Sequence, residues 1–204
     1  AAQGVELADA LATNGSVTEL DLSLNRFYEP NVYGNKSPKT QNDEAAFGVA
    51  LRRAVEHNQT LRVLDLSGTI EAGLVARSSG ADNGMALGAD AAHDVLDGLQ
   101  RNRGLTHVSL NANQMRVDDV CALLRANSTL RHLGLRGIAC TTLYGPYCRE
   151  ALLCGWLQWR DSGARRNRGG IPELADALSA NSTLTSLDVR ENKLERGEQE
   201  LLER

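Results

Sequence analysis

The sequence has few aromatic side chains, few prolines and no long apolar run. Aromatic residues make up 4% of the 204 residues, and four prolines are present. Because large rings are scarce, leucine, valine and alanine must supply the packing, which favours thin stacked layers over one thick globular core. No apolar stretch approaches the roughly 18 residues that a membrane-spanning helix needs, so we expect no membrane partner.

The chain also lacks a strong charge of either sign and the usual marks of a metal or catalytic site. A net charge of −4 gives no general attraction to phosphates, so we expect no direct nucleic acid partner. The cysteines have no C-x-x-C or zinc-finger spacing, which favours buried free thiols; they are Cys121, Cys140, Cys148 and Cys154. No nucleophile stands with a base. We therefore expect no enzyme activity, no cofactor and no metal.

What the sequence does contain is one apolar phrase repeated five times. Its copies are Val17-x-x-Leu20-x-Leu22, Leu61-x-x-Leu64-x-Leu66, Leu105-x-x-Val108-x-Leu110, Leu130-x-x-Leu133-x-Leu135 and Leu184-x-x-Leu187-x-Val189. Three positions before each copy stands an asparagine: Asn14, Asn58, Asn102, Asn127 and Asn181. The alternation within the phrase predicts a short strand with its leucines facing inward.

The residues upstream of each asparagine have helical spacing. Apolar residues lie seven and three positions before it, in the pairs Leu7 and Leu11, Leu51 and Val55, Val95 and Leu99, Val120 and Leu124, and Leu174 and Leu178. This i, i+4 pattern predicts one buried helix face, and the asparagine is expected to adopt the left-handed turn that ends the helix. Each unit is thus helix, turn and strand, and stacked units would join their strands in a parallel sheet.

The phrases LADALATNGSVTELDLSLN and LADALSANSTLTSLDVRENKL resemble leucine-rich repeats of the ribonuclease-inhibitor class. The resemblance covers the five units and implies an α/β fold, a right-handed solenoid or horseshoe of helix–strand repeats with an inner parallel sheet. It also implies protein binding through the concave sheet face and its rims.

We expect one leucine-rich-repeat domain over residues 1–204, with strands near 18–23, 62–67, 106–111, 131–136 and 185–190. The phrases lie 44, 44, 25 and 54 residues apart, whereas an ordinary repeat has roughly 20–29. The surplus falls between strand and helix, in segments 28–43, 71–87 and 139–169. The first two have the composition of loops.

The third surplus segment holds both tryptophans of the chain. Its spacing fits a degenerate repeat at 154–162 with the phrase Cys154-x-x-Leu157-x-Trp159, or a short amphipathic helix around 147–159. Trp and Arg are common anchors of protein interfaces, so a partner contact is expected at Trp156, Trp159, Arg160 and Arg165. The alternative is that the tryptophans pack this segment onto the repeats.

Side chains between the strand leucines should point into the concave face, which is acidic near the first strand and basic near the last. The candidate partner-binding residues there are Glu19, Asp21, Asp65, His107, Ser109, Asn111, His132, Arg136 and Arg190. The adjacent Asp21 and Asp65 suggest a basic partner, or neutralisation by Arg62. The equal repeat positions of His107 and His132 predict that they lie side by side.

The pattern favours a non-catalytic protein–protein interaction module or scaffold that binds one unidentified protein partner. A more specific form of this hypothesis is a subunit of a large assembly. The alternative is a regulator of an enzyme, either an inhibitor or a GTPase activator like that of Ran. The Asn-x-Ser/Thr sites at four of the repeat asparagines have a structural cause, and no Cys-rich cap is present. We therefore expect a cytoplasmic location, with a cilium or another large intracellular complex as more specific sites.

Overall fold

A computed structural model describes residues 2–25, 38–68, 87–137, 139–140, 170–190 and 192. Within these residues, five α-helices are present: α1 (Ala2–Thr13), α2 (Pro38–His57), α3 (Ala89–Arg101), α4 (Val117–Ala126) and α5 (Gly170–Ala180). The same part of the chain contains seven short strands: β1 (Glu19–Asp21), β2 (Val63–Asp65), β3 (His107–Ser109), β4 (Gln114–Met115), β5 (His132–Gly134), β6 (Ala139–Cys140) and β7 (Ser186–Asp188).

Five of the strands form one parallel sheet in the order β1-β2-β3-β5-β7. The register keeps equivalent positions of the repeated phrase opposite one another, as in Leu64 beside Val108 and Val108 beside Leu133. Consecutive helices pack against each other in the same order, so the helices form a second layer along one side of the sheet. Each strand is connected to the next through a helix, which is the connection that parallel strands require.

The core lies between these two layers and is built from the apolar positions of the repeats. The strand leucines Leu64, Leu66 and Leu110 are fully buried, and so are Val95 and Leu99 of α3. In a strand every second residue faces one side, whereas in a helix residues four apart share a face, so both patterns direct their apolar residues into one seam. The aliphatic composition of the chain therefore corresponds to a thin core extended along the row of repeats.

The repeat asparagines join each unit to the one before it. Asn102 is fully buried, and its amide nitrogen donates to the carbonyl oxygens of Val55 at 2.6 Å and Asn58 at 3.0 Å. Its side-chain oxygen accepts from the backbone amides of Gly104 at 2.9 Å and Leu105 at 2.7 Å. Asn58, Asn127 and Asn181 make the equivalent contacts. We call this series the asparagine ladder.

The expectation that these asparagines end the helices in a left-handed conformation is wrong. Asn102 and Asn127 have φ of −65° and −86° with extended ψ, because the side chain rather than the backbone makes the turn. The left-handed conformation occurs instead just after the strand, at Leu24, Ala112 and Gly137, with φ of 61°, 55° and 59°. These three residues occupy the eighth place counted from the start of the phrase.

Part of the first surplus segment is helical, so the loop interpretation of residues 38–43 is wrong. Helix α2 begins at Pro38 and continues through that stretch to His57. Proline suits the first helical position, since its fixed φ is already helical and that position needs no amide donor. The polar residues Lys39 to Asp43 concealed the helix, because they show no apolar stripe.

Close contacts and ion pairs hold neighbouring helices together. A Cβ built on Gly98 of α3 would lie 2.7 Å from the carbonyl oxygen of Arg52 in α2, so the glycine permits this approach. On the outer side, Arg52 pairs with Asp97 at 2.9 Å and Arg116 with Asp90 at 2.7 Å. None of the helices in the described residues is both long and apolar enough to cross a membrane.

The described residues also form a second parallel sheet, which has two strands. Strand β4 pairs with β6 so that Gln114 faces Ala139 and Met115 faces Cys140. The sequence pattern did not predict these strands, since two residues are too few to show an alternation. Apart from Leu87, the remainder of the surplus segments, including the degenerate-repeat and helix alternatives within 139–169, lies outside the described residues.

Candidate functional site

The candidate site is the side of the five-stranded sheet that faces away from the helices, which we call the sheet face. The phrase places alternate side chains there, in three rows that run across the strands. The first row is Glu19, Val63, His107, His132 and Ser186; the second is Asp21, Asp65, Ser109, Gly134 and Asp188; the third, just past the strands, is Ser23, Ser67, Asn111, Arg136 and Arg190. All five residues of the first row are at least partly exposed.

The β1–β2 end of the sheet face is acidic. Asp21 and Asp65 are register partners, and Glu19 lies two residues from Asp21 on the same strand. One oxygen of each aspartate accepts from a backbone amide at 2.8 Å, from Ser23 and Ser67 respectively. The hydroxyl and amide of Ser23 lower the pKa of Asp21, so this carboxylate is charged near neutral pH.

Arg62 does not neutralise these aspartates, so one of the two alternatives is wrong, while the basic partner stays a prediction. Its guanidinium donates to the carbonyl oxygens of Gln59 at 2.7 Å, Gly104 at 3.0 Å and Leu61 at 3.3 Å. No described Lys or Arg lies within ion-pair distance of Glu19, Asp21 or Asp65. The acidic end therefore has its negative charge directed to solvent.

A chain of hydrogen bonds crosses the middle of the sheet face. The hydroxyls of Ser67 and Ser109 lie 2.7 Å apart, and the amide of Asn111 donates to Ser109 at 2.8 Å. The side-chain oxygen of Asn111 then accepts from the backbone amide of Arg136 at 2.7 Å. A Cβ on Gly134 would lie 3.0 Å from Asn111 Oδ1, so the glycine leaves room for this chain. Ser109 and Asn111 are thus engaged within the scaffold.

His107 and His132 stack at the centre of the first row. Their ring centroids are 4.1 Å apart with 17° between the ring planes, so the prediction that they lie side by side is confirmed. The hydroxyl of Thr106 lies 3.2 Å from the Arg62 carbonyl, to which it donates, and 2.9 Å from His107 Nδ1. The Thr106 hydroxyl thus links the His107 ring to the backbone of the preceding strand segment. Both rings are exposed.

The β5–β7 end of the sheet face carries two arginines and one carboxylate. Arg190 holds Asp188 through two hydrogen bonds of 2.9 Å and 2.7 Å. This pairing is the main cause that lowers the pKa of Asp188, and the charge of Arg136 lowers it further. The two ends of the sheet face therefore carry different charged residues, carboxylates at β1–β2 and two arginines with one carboxylate at β5–β7.

The remaining predicted contact residues, Trp156, Trp159, Arg160 and Arg165, lie outside the described residues. Sequence reasoning missed Thr106 and Gly134, of which the first orients a histidine and the second clears space for Asn111. A glycine inside a strand is a usable signal for such a close approach, whereas the threonine gave none. Among the described residues, no group of three or more His, Cys, Asp or Glu could hold a metal ion.

Comparison with known proteins agrees with the repeat pattern. The family model for leucine-rich repeats matches residues 57–69 and 180–195, which contain two of the five phrases. No curated protein sequence matches the chain significantly. The matched residues and the five-stranded parallel sheet together support a leucine-rich repeat protein.

Two solved structures share the fold at low sequence identity. The tropomodulin C-terminal domain of Caenorhabditis elegans superposes with a TM-score of 0.54 at 9% identity, covering 98% of this chain and 89% of that domain. Leiomodin-1 actin-binding site 2 superposes with a TM-score of 0.51 at 16% identity, covering 99% of this chain and 87% of the other. At these identities the likeness concerns the fold alone.

Proposed function

We propose that this chain is a non-catalytic protein-interaction module whose sheet face binds one protein partner. The observation that carries the proposal is the first row, five at least partly exposed side chains held in register across five strands. A rigid sheet with an exposed row of different side chains is suited to binding a protein surface. Its backbone is already ordered, so little conformational entropy is lost on binding. The asparagine ladder supports this role by fixing the spacing of the strands.

The finer architecture belongs to the same proposal. Helices are wider than strands, so a row of such units should curve into a right-handed solenoid with the sheet face on its concave side. We propose the ribonuclease-inhibitor type of repeat, because every unit with a described upstream segment carries a helix. The module would extend over residues 1–204, with residues 139–169 adding a second contact through Trp156 or Trp159.

Actin is the first candidate partner to test. One structure with the same fold is named as an actin-binding site of leiomodin-1. A partner of this kind would agree with a location in the cytoplasm, within a large assembly that includes the cytoskeleton. The acidic sheet-face residues that would take part are Glu19, Asp21 and Asp65.

Binding to monomeric and filamentous actin should be measured by fluorescence anisotropy and by co-sedimentation. The double variant His107→Ala/His132→Ala removes the centre of the first row, and His57→Ala removes an exposed histidine at the end of α2 as a matched control. We expect the double variant to lose binding to the partner and the His57→Ala control to retain it. Equal binding by all three proteins would exclude the sheet face as the contact.

If actin does not bind, the same three proteins should be used for affinity capture and mass spectrometry. A partner that the double variant loses and the His57→Ala control retains would support the sheet face. The alternative function, an inhibitor or a GTPase activator, is separated by a turnover assay. A scaffold leaves the rate of its partner enzyme unchanged, whereas a regulator changes it.

A further inference from the structure

The first repeat leaves its part of the asparagine ladder open. At four joints between repeats, an asparagine amide nitrogen donates to two carbonyl oxygens of the preceding unit, as Asn58 does to Leu11 at 2.7 Å and to Asn14 at 2.9 Å. The side-chain oxygen of Asn14 accepts from the backbone amides of Ser16 and Val17, but its amide nitrogen has no acceptor within the described residues. Both hydrogens of that nitrogen are therefore available to another molecule.

The last repeat that the structure describes presents the matching acceptors. The carbonyl oxygens of Leu178 and Asn181 occupy the two repeat positions that accept from an asparagine at the four joints. The Leu178 oxygen accepts from the backbone amide of Asn181 at 3.0 Å, and in the described part of the chain no side chain binds it. A carbonyl oxygen has two lone pairs, so this one can accept a second hydrogen bond.

The outer strands of the five-stranded sheet are complementary in the same way. Strands β1 and β7 lie at its opposite ends, so each has one edge that pairs with no strand among the described residues. Inside the sheet, the start of each strand accepts from the next one, as the Thr18 oxygen does from the Arg62 amide at 2.7 Å. By repeat position, the Thr18 amide corresponds to that of Arg62, and the Thr185 oxygen corresponds to that of Thr18. Strand β1 of one copy can therefore extend the sheet beyond β7 of another.

Both terminal repeats also expose apolar surface that the inner repeats bury. Leu7 in α1 is 40% exposed, whereas the equivalent Val95 and Val120 are fully buried. Leu187 in β7 is only partly buried, whereas the equivalent Leu133 in β5 is buried. Stacking the first repeat on the last would remove both apolar surfaces from water, which favours association.

We propose that two copies of this protein associate head to tail, with α1 and β1 of one copy stacked on α5 and β7 of the other. The occupant is a second copy because one chain carries both the open donor and the open acceptors of the same joint. Asp21 of one copy then lies beside Asp188 of the other, just as Asp21 already lies beside Asp65. Arg190 offsets the charge of Asp188 through two hydrogen bonds.

This mode of association leaves the proposed binding site accessible. The contact uses the edges of the sheet and the sides of the terminal helices, so the first row of the sheet face stays exposed. The joint is heterologous, since different surfaces of the two copies meet, and further copies can add to either end. The inference is thus independent of the proposed function.

Asn14→Asp tests the ladder contact without removing the bonds inside the first repeat. Aspartate keeps an oxygen that accepts from Ser16 and Val17, but it replaces the donor with an oxygen that faces two carbonyl oxygens. Sedimentation of the wild type should show an average mass that rises with protein concentration from about 1 to about 300 µM. Asn14→Asp should weaken this association at least about tenfold, because both carbonyl oxygens lose their donor. Asn42→Asp, at an exposed position of α2, is the matched control and should associate like the wild type.

A mixing experiment distinguishes a head-to-tail contact from a symmetric one. The Asn14→Asp variant keeps an intact last repeat, so a labelled trace of it should bind unlabelled wild type with nearly wild-type affinity in fluorescence anisotropy. The same labelled trace should bind unlabelled Asn14→Asp at least about tenfold more weakly. Binding to the wild type also shows that the variant is folded, so its failure to self-associate has a local cause.

The proposal is overturned if the wild type stays monomeric at every concentration, or if Asn14→Asp self-associates as strongly as the wild type. It is also overturned if labelled Asn14→Asp binds wild type no more tightly than it binds itself, because the contact would then be symmetric. The His107→Ala/His132→Ala variant should self-associate normally while losing its protein partner. The self-association and the proposed function can therefore fail separately.

Discussion

Leu24 holds a backbone conformation that costs an L-residue about 1–2 kcal/mol relative to glycine. Its φ is 61° and its side chain is 65% exposed, so little packing is lost when the side chain is removed. We predict that Leu24→Gly stabilises the protein by about 0.5–1 kcal/mol, because relief of strain exceeds the entropy that glycine adds to the unfolded chain. Urea denaturation measures the change. Ser16→Gly, at an exposed position without a left-handed φ, should instead destabilise.

Cys121 illustrates a buried residue whose chemistry is suppressed by its surroundings. Burial raises the pKa of its thiol from the ordinary 9.0 to about 11, which lowers the thiolate fraction about a hundredfold. We predict that iodoacetamide at pH 8 labels Cys121 only after unfolding, as mapped by peptide mass spectrometry. Rapid labelling of the native protein would contradict this.

The same raised pKa predicts a loss of stability at alkaline pH. The folded thiol binds its proton more tightly than the unfolded one, so its contribution is complete below about pH 9 and is lost as the pH rises through about 11. Cys121→Ala should remove this part of the alkaline slope in denaturation experiments at several pH values.

At the scale of the element, Asn102 joins the end of α3 to the strand that follows and to the preceding repeat. Its four hydrogen bonds satisfy two carbonyl oxygens and two amides that are otherwise inaccessible to water. We predict that Asn102→Ala lowers the free energy of unfolding by about 3–4 kcal/mol, because several buried polar groups lose partners. Asn14→Ala is the control, since the Asn14 side chain is only partly buried and bonds only within its own turn, and should cost about 1 kcal/mol.

Helix packing supplies a second prediction at this scale. The Cβ of Gly98→Ala would enter the 2.7 Å space before the Arg52 carbonyl, so α2 and α3 must separate. We predict a loss of about 1–3 kcal/mol, measured as a lower melting temperature. Gly15→Ala adds a Cβ with nothing within 4 Å and should leave the melting temperature nearly unchanged. Equal effects of the two changes would show that the interhelical contact is not tight.

The sequence allowed the helices and the five main strands to be predicted where apolar periodicity was long and regular. Helix α2 begins earlier than predicted. Its first turns carry polar residues, which show no apolar periodicity and therefore indicated neither a helix nor a strand. The pairing of β4 with β6 depends on which segments the stacking brings together, and two-residue strands carry no pattern of their own. The role of the repeat asparagines was missed because their partners lie 44 or 47 residues away, as in the bonds from Asn102.

The site was predictable to the extent that repeat position determines neighbours. Equal places in the phrase predicted the stacked histidines, since a parallel register brings equal places together. Ser109 and Asn111 bond within the scaffold, and Arg62 bonds to backbone carbonyls instead of the aspartates. Both outcomes depend on side-chain rotamers and on the space around them. Such features require coordinates, because a flexible side chain can reach several partners from one backbone position.

At the scale of the whole molecule, burial is uneven along the row of repeats. Leu7 in α1 is 40% exposed, whereas its equivalents Val95 and Val120 are fully buried. Strand β1 pairs only with β2, while β2, β3 and β5 have neighbours on both sides. Since local opening is easiest where few apolar contacts must be broken, stability should fall toward α1 and β1.

Hydrogen exchange measured by mass spectrometry should therefore show a gradient. We predict slow exchange in α3, β3 and α4 and exchange at least about tenfold faster in α1 and β1, under conditions where the native state is populated. Asn102→Ala should raise exchange on both sides of the broken joint, whereas Asn14→Ala should affect α1 and β1 alone. Uniform protection over all helices would indicate one cooperative unit and contradict this prediction.

The asparagine ladder makes the joint between repeats independent of the length of chain that connects them. Asn102 and Asn127 donate to equivalent carbonyl oxygens of the preceding unit. The partners of Asn102 lie 44 and 47 residues earlier in the chain, and those of Asn127 lie 25 and 28 residues earlier. New sequence can therefore be gained or lost between a strand and the next helix while the joint itself is inherited unchanged. Over evolutionary time, the connecting segments are free to change in length and composition while the contacts between the repeats stay the same.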